Sequence, residues 1–230
     1  MDEEDDTEAG PESPQEDDDP AADEGGRSFS GGVTTNTTDV LDCLDAAEWE
    51  ECAEEEIDTA WLRWLVVSFE RKINKNSEKR AKFESIPQKF MASEADLDAE
   101  IKSMSILSEH TELYPDCAKA GEAAQPVSSL AHKNTDIAIN AIEIISELID
   151  EDVQADSEQW DVLVESMTEA DLLSLLVQNF ERFDEEDNDS DRQGVYHSLA
   201  VLEGLASQIS TAGKVGDETV LKCLLQRIQS

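Results

Sequence analysis

The stretch Asn134–Asp150, NTDIAINAIEIISELID, decides the fold, because its apolar residues cover most of a helical cylinder. The residues that we expect it to bury are Ile137, Ala138, Ala141, Ile142, Ile144, Ile145, Leu148 and Ile149. Its polar residues recur at steps of three and four and line one narrow stripe, formed by Asp136, Asn140, Glu143, Glu147 and Asp150. A helix this apolar must pack against neighbours on several sides. We therefore predict an inner helix of a helical stack, with one acidic edge left open.

Helical segments joined by short polar turns also fill the region before this helix, and no segment shows the alternation typical of strands. After an N-cap at Asp58 the pattern predicts a helix over 59–75, followed by a break at Ile86-Pro87. Ser93 and Asp96 resemble a capping box that would start the next helix. A short helix then ends at Gly121. We interpret residues 57–121 as an N-terminal helical cap.

Beyond this cap the sequence repeats itself. Matching Leu130 to Leu176 gives an offset of 46 residues, and matching Leu176 to Leu225 gives 49. Both offsets lie close to the period of about 40 to 47 residues of HEAT and armadillo units. Ser157–Ala170 supplies the extra helix of a three-helix unit, with inward residues Trp160, Leu163, Val164 and Met167. We predict an all-α protein in which residues 122–230 form an armadillo/HEAT-like, right-handed helical-repeat solenoid, incomplete at its C-terminal end because no polar-faced capping repeat follows.

The acidic surplus of the chain is concentrated near its N-terminus. The formal net charge is −39, and the first 60 residues contain 23 aspartates and glutamates but a single basic residue, Arg27. Residues 1–36 offer almost nothing apolar to bury, and residues 38–56 show only a weak amphipathic pattern. We predict a largely disordered acidic tail over residues 1–56. Such a charge favours basic partners over nucleic acid, although it can also serve solubility alone.

Six of the seventeen basic residues crowd into twelve positions at the end of the predicted helix 59–75 and just beyond it: Arg71, Lys72, Lys75, Lys79, Arg80 and Lys82. Such a cluster could bind a phosphate, RNA or the acidic tail. We favour a solvated helix end, because the surrounding field is negative and no aromatic residues interleave with the basic ones in a stacking pattern.

Sites for metals, membranes and catalysis are not indicated. The four cysteines form no C-x-x-C pair and no cluster with the three histidines, which indicates reduced thiols in an intracellular protein. The start MDEEDD is unlike a signal peptide, and no apolar run approaches the ~18 residues of a membrane span. The acidic stretch 184–191 imitates a calcium loop, but Arg192 replaces its glycine and Ser198 its glutamate. We expect no metal and no cofactor.

The three histidines, His110, His132 and His197, lie far apart in sequence and are not arranged with a serine, cysteine or acid as a relay. We therefore expect that the protein is not an enzyme. His132 lies at the turn between paired helices, and we interpret it as a structural residue.

Four blocks of the sequence, in order, resemble the nuclear beta-catenin-like armadillo family associated with the spliceosome: SFERKINKNSEKRAKFESIPQKFMASEADLDAEI, LAHKNTDIAINAIEIISELID, LLVQNFERFDEE and GVYHSLAVLEGLA. The resemblance covers roughly Trp64 to Ile228. It implies a nuclear armadillo-type scaffold of the Prp-nineteen-type splicing complex that binds the nuclear localisation sequences of its partners, among them a Myb-like splicing factor. Members of that family tend to carry a basic import segment near the N-terminus, whereas this chain has only Arg27 there.

The acidic stripe is our candidate binding surface. Each exposed ion pair gives only ~0.2 to 1 kcal/mol, so a lysine-rich peptide needs several carboxylates held in register. The candidate residues are Asp136, Asn140, Glu143 and Glu147, with Glu203 in a comparable place on the next long helix. The asparagine could also hydrogen-bond a peptide backbone. The alternative is that these residues are only the wet side of a buried helix. Neither long helix carries the tryptophans typical of armadillo grooves, which indicates a non-standard binding mode.

These observations favour a non-enzymatic helical-repeat adaptor of the pre-mRNA splicing machinery that binds basic segments of nuclear partner proteins. We expect a nuclear location and neither direct DNA binding nor membrane binding, and self-association remains open. The alternative is a protein of histone-chaperone type, in which the acidic tail holds basic proteins and the repeats only support it.

Overall fold

The computed structural model describes residues 57–121, 123–186 and 188–229, and the regular secondary structure in these ranges is helical. Within them we number ten α-helices: α1 Thr59–Lys82, α2 Met91–Ser103, α3 Tyr114–Lys119, α4 Ala124–Ser129, α5 Thr135–Leu148, α6 Ser157–Glu169, α7 Leu172–Arg182, α8 Asp189–Ser207, α9 Ile209–Val215 and α10 Glu218–Gln229. Three 3-10 turns, Pro87–Lys89, Met104–Glu109 and Thr111–Leu113, connect α1 to α3. The described ranges contain no strand, so the predicted all-α fold is confirmed. The acidic tail predicted for residues 1–56 lies outside the described residues.

Helix α5 has the position and the burial that its sequence predicts. It begins where the Asn134 side chain accepts a hydrogen bond of 3.1 Å from the Asp136 N–H. All eight apolar residues that we expected to be buried are buried, as are Ile139 and Ser146. Helices α2, α4 and α8 pack against α5. The helix is therefore enclosed on most of its circumference.

The helices form two connected rows. In one row α2 packs on α5 and α5 packs on α8; in the other, α3 packs on α6, α6 on α7 and α7 on α10. The pairs α4–α5 and α7–α8 each join a shorter helix to a longer one, as the repeat predicts. Helix α6 is the extra helix, and its four predicted inward residues are buried. Leu130 and Leu176 are buried in the two units, whereas Leu225 is 57% exposed because α10 packs on α7 with its other side.

The C-terminal end of α5 is closed by side chains from neighbouring elements. The Tyr114 hydroxyl donates to the Leu148 carbonyl at 2.9 Å, and Trp160 Nε1 donates to the Ile149 carbonyl at 3.3 Å. Burial raises the pKa of Tyr114, which keeps the hydroxyl protonated as a donor. These bonds satisfy carbonyls that a helix end leaves without intrahelical partners.

Helix α8 approaches α5 closely at two glycines. A Cβ atom on Gly194 would lie 2.8 Å from Ile139 Cγ1 and 3.0 Å from the Phe183 ring. A Cβ atom on Gly204 would lie 3.3 Å from the Ile149 carbonyl oxygen. The close contact between α5 and α8 therefore requires a residue without a side chain at these positions, most of all at Gly194.

The turn between α4 and α5 is a polar junction built on His132. The Asn134 N–H donates to His132 Nδ1 at 3.1 Å, so Nε2 carries the ring proton and faces the Asn76 side-chain oxygen at 3.1 Å. Asn76 is only 1% exposed, and its amide nitrogen donates to Ser93 Oγ at 3.1 Å. This chain of bonds joins α1, α2 and the turn that starts α5.

Helix α7 contacts the same turn from the other row. Arg182 donates to the His132 carbonyl at 3.0 Å and to Thr135 Oγ1 at 3.1 Å, and Asn179 donates to the Leu130 carbonyl at 3.0 Å. The structural role predicted for His132 agrees with this geometry. Burial, and then the charge of Arg80, lower the pKa of His132, while Arg182 adds to the lowering and the Asn134 hydrogen bond opposes it.

The start of α2 differs from the predicted capping box. The helix begins at Met91, after Phe90, because the 3-10 turn Pro87–Lys89 runs directly into it. Ser93 lies inside the helix, and its hydroxyl donates back to the Phe90 carbonyl at 2.7 Å. Serine bonds of this kind to a preceding carbonyl compete with capping.

The basic cluster of α1 is used within the fold. Lys72 pairs with Glu100, Arg80 pairs with Glu94, and Lys75 Nζ lies 3.0 Å from Asp96 Oδ2. The hydrogen bond from Lys75 is the main cause that lowers the pKa of Asp96. Interpreting Lys72 and Arg80 as part of a solvated helix end is therefore wrong, because both bind acids of α2 that are largely buried, whereas Lys75 and Asp96 pair on the exposed surface.

We predict that Gly194→Ala lowers the free energy of unfolding by about 1 to 3 kcal/mol, because the added methyl group overpacks the α5–α8 contact. The measurement is urea unfolding followed by circular dichroism. Gly213→Ala in α9 is the matched control: a Cβ atom there meets nothing within 4 Å, so the change should be neutral or stabilising by up to about 1 kcal/mol. Equal stabilities of the two variants would contradict the close-approach argument.

We predict that His132→Ala destabilises the fold by about 1 to 3 kcal/mol at pH 7.5, because it removes the His132 N–H that the side-chain oxygen of buried Asn76 accepts. A group whose pKa is lowered by folding stabilises above its unfolded pKa, here about 6.5, and loses that contribution as the pH falls. The difference between wild type and variant should therefore shrink from pH 7.5 to pH 5.5. Urea unfolding at both pH values measures it, with His110→Ala, on a half-exposed ring, as control. A difference that stays constant would contradict the assignment.

Candidate partner-binding surface

Four predicted site residues share the open edge of α5, and we call Asp136, Asn140, Glu143 and Glu147 the α5 stripe. Asp136 and Glu147 are exposed, and Asn140 and Glu143 are half-buried. Steps of four, three and four residues keep them on one side of a helix with 3.6 residues per turn, over a length of about 16 Å. The structure thus brings these four residues together, whereas Asp150 follows the end of the helix.

Neighbouring helices fix two members of the α5 stripe. The Asn140 amide nitrogen donates to Asp98 of α2, and Asp98 also accepts a bond of 2.9 Å from Lys102. At the other side Asp136 accepts a bond of 3.1 Å from Ser190 Oγ of α8. The stripe is therefore continuous with the surfaces of α2 and α8.

Asp98 was not recognised from sequence. It belongs to a run of acids at every second position of α2, formed by Glu94, Asp96, Asp98 and Glu100. Two residues correspond to about 200° around a helix, so such a run is divided between two sides. Asp96 and Glu100 face α1, whereas Asp98 faces α5.

His197 of α8 also contacts the α5 stripe. Its Nε2 lies 3.8 Å from Glu143 Oε1, and its Nδ1 lies 3.4 Å from Ser146 Oγ. The ring of Tyr196 meets the imidazole edge-on, with the centroids 5.4 Å apart. Sequence reasoning separated His197 from these residues because 51 positions lie between it and Ser146.

The residue types of a catalytic triad occur together here, in Ser146, His197 and Glu143. Their hydrogen bonds differ from those of a triad. The Ser146 hydroxyl donates its single hydrogen to the Glu143 carbonyl at 2.7 Å, so its oxygen can only accept from His197. In a relay the serine hydrogen must instead pass to the histidine. Ser146 is also only 9% exposed. The Ser146 hydroxyl is therefore not placed to pass its hydrogen to His197.

The carboxylates of the α5 stripe repel one another. Burial raises the pKa of Glu147, the nearby Glu143 raises it further, and His197 opposes the shift. A cation placed beside the two carboxylates would relieve this repulsion.

Glu203, the fifth predicted site residue, lies off this line. It is exposed on α8, six residues beyond His197, which corresponds to about 120° around the helix axis. Tyr196 lies seven residues before it on the same exposed side and is 70% exposed. Its role in partner binding stays a prediction.

Other chemistry is not visible in the described part of the chain. Residues 57–121, 123–186 and 188–229 hold no group of three histidine, cysteine or acidic side chains placed to bind a metal. In the calcium-like loop, Asp191 is buried and accepts the Asp184 N–H at 2.9 Å, so it serves the fold. Across the same ranges, no helix has the length and apolarity to cross a bilayer.

Comparison with known proteins places these features in a family. The model of the family described as catenin-beta-like, Arm-motif containing and nuclear matches residues 38–230. The beta-catenin-like protein 1 homolog of Schizosaccharomyces pombe is 38% identical over 206 residues, which are 89% of this chain and 36% of that protein. Beta-catenin-like protein 1 of Homo sapiens is 33% identical over 178 residues, 76% of this chain and 31% of that protein.

The chain therefore spans about a third of the length of these relatives. The expected armadillo-like repeats and the expected nuclear location are confirmed by the family match. The chain belongs to the nuclear, Arm-motif-containing catenin-beta-like family.

Proposed function

We propose that this protein is a non-enzymatic helical-repeat adaptor that binds basic segments of nuclear splicing proteins, of the kind found in nuclear localisation sequences, through the α5 stripe. The observation that carries the proposal is that a helix buried on nearly all sides leaves open one edge, and that this edge bears carboxylates in regular register. The splicing partners, a Myb-like factor among them, rest on the family resemblance alone.

The spacing of the stripe suits an extended basic peptide. Residues three or four apart on a helix lie about 5 to 6 Å from each other. Side chains on one side of an extended strand recur every ~6.7 Å. Glu143 and Glu147 can therefore pair with alternate lysines of a segment that lies along α5.

Asn140 gives the surface a backbone-binding group. Its amide nitrogen donates to Asp98, which orients the side chain and leaves the carbonyl oxygen to accept a peptide N–H. A partner bound there gains a directional contact in addition to the charge pairs. Such a contact favours one register of the peptide over its neighbours.

The second candidate function rests on composition. The 23 acidic residues among the first 60 could hold histone-like basic proteins, with the repeats as a support. Deletion of residues 1–56 separates the two proposals. The adaptor proposal expects little loss of peptide binding, whereas the chaperone proposal expects most of it to be lost.

We predict that a lysine-rich peptide binds more tightly than a scrambled neutral peptide in fluorescence anisotropy titrations at 10 mM salt. Glu143→Gln combined with Glu147→Gln should weaken binding about two- to thirtyfold, since each exposed pair contributes ~0.2 to 1 kcal/mol. The matched control is Glu165→Gln with Glu169→Gln, an exposed pair of the same spacing on α6. Binding should also weaken as salt shortens the screening length from ~30 Å towards ~10 Å.

Two results would contradict the adaptor proposal. One is equal affinity for the lysine-rich and the neutral peptide. The other is an equal loss of affinity in the α5 and α6 variants, because that would reduce the effect to overall charge.

A further inference from the structure

The imidazole of His197 lies between two oxygen atoms of α5. Each ring nitrogen faces an oxygen acceptor, Ser146 Oγ at 3.4 Å and Glu143 Oε1 at 3.8 Å. Ser146 has given its hydrogen to the Glu143 carbonyl, so it accepts from Nδ1. A neutral imidazole has one N–H only, so its bare Nε2 then faces the Glu143 carboxylate, acceptor against acceptor. In the protonated ring both nitrogens donate to an oxygen.

The charged groups around His197 are carboxylates. Glu143 and Glu147 of α5 face it, and its own helix adds the Tyr196 ring. From α7, Arg182 is bound to the turn before α5 and Glu181 lies near Cys223. Lys214, the charged residue of α9, is exposed to solvent. The charged groups that face His197 are therefore the carboxylates of the α5 stripe.

We propose that His197 competes with the cation of a bound basic segment for Glu143, so that partner binding by the α5 stripe is linked to proton release. This inference rests on the function proposed above and adds its regulation. With His197 protonated, the ion pair to Glu143 cancels one carboxylate of the stripe. With His197 neutral, Glu143 and Glu147 are both open to lysine or arginine.

The coupling acts in both directions. If protonation of His197 weakens the binding of a basic segment, the segment must weaken the binding of the proton by the same factor. Binding should therefore be accompanied by the release of protons into the buffer. The raised pKa of Glu147 acts in the same direction, since a protonated Glu147 also loses its attraction for a cation.

The test measures the affinity of the intact chain for a lysine-rich peptide at pH 5.5, 6.5 and 7.5, at constant ionic strength. Wild type should lose about two- to fivefold more affinity from pH 7.5 to pH 5.5 than His197→Gln, the size of one exposed ion pair. His197→Lys, which carries a permanent charge, should bind weakly at every pH. His110→Gln is the control, because this ring pairs with Glu112 outside the stripe and should keep the wild-type pH dependence.

Calorimetry in two buffers of different ionisation enthalpy provides a readout that needs no variant. Wild type should release protons on binding at pH 6.5, and His197→Gln should release fewer. Equal pH dependence of wild type and His197→Gln, or no proton release by wild type, would overturn the inference while leaving the adaptor proposal intact. Failure of the peptide to bind at pH 7.5 would overturn the adaptor proposal itself.

Discussion

Burial of α5 on nearly all sides is the constraint on which the rest of the structure depends. Its isoleucines, alanines and leucine cannot be left in water, so α2, α4 and α8 must enclose it. Its start is capped by Asn134, and its last carbonyls are satisfied by Tyr114 and Trp160. The helix is therefore held in position at both ends as well as along its sides. The carboxylates on its open edge are therefore carried by a helix whose position is fixed by the core.

The protein uses its acidic residues in two different ways. On α2, Glu94, Asp96 and Glu100 are neutralised by basic residues of α1, and these pairs hold the first two helices together. On α5, no lysine or arginine of the described ranges pairs with Glu143 or Glu147, and the nearby charge partner is a histidine. Carboxylates left without a permanent counter-charge keep their attraction for an external cation. This difference supports a binding role for α5 and a structural role for the α2 acids.

Sequence predicted the parts of this account that follow from periodicity. The limits of α5, its buried face, the inward residues of α6 and the pairing of shorter with longer helices all follow from where apolar residues recur. Periodicity shows which side of a helix is buried. It does not show which polar residue of a neighbouring helix lies opposite a given side chain. Contacts such as Asn140–Asp98 and His197–Glu143 span more than 40 residues and depend on how the helices pack.

The same limit explains the corrections. Six clustered basic residues suggest an exposed helix end, until the packing of α2 on α1 supplies acids for three of them. The capping box at Ser93 has the right residues, but the 3-10 turn ahead of it starts the helix earlier. Glu203 is exposed on α8, about 120° around the helix axis from His197, and its role in partner binding stays a prediction. In both corrections the residues fit the local sequence pattern, but the packing of neighbouring elements determines their structural role.

The central claim, that the open edge of α5 is where a basic segment binds, is tested most directly by carbodiimide cross-linking of a lysine-rich peptide to the intact chain, followed by mass mapping. The account predicts amide links concentrated at Asp136, Glu143 and Glu147, reduced by high salt. Links that fall mainly within residues 1–56, or evenly over all exposed carboxylates, would contradict it.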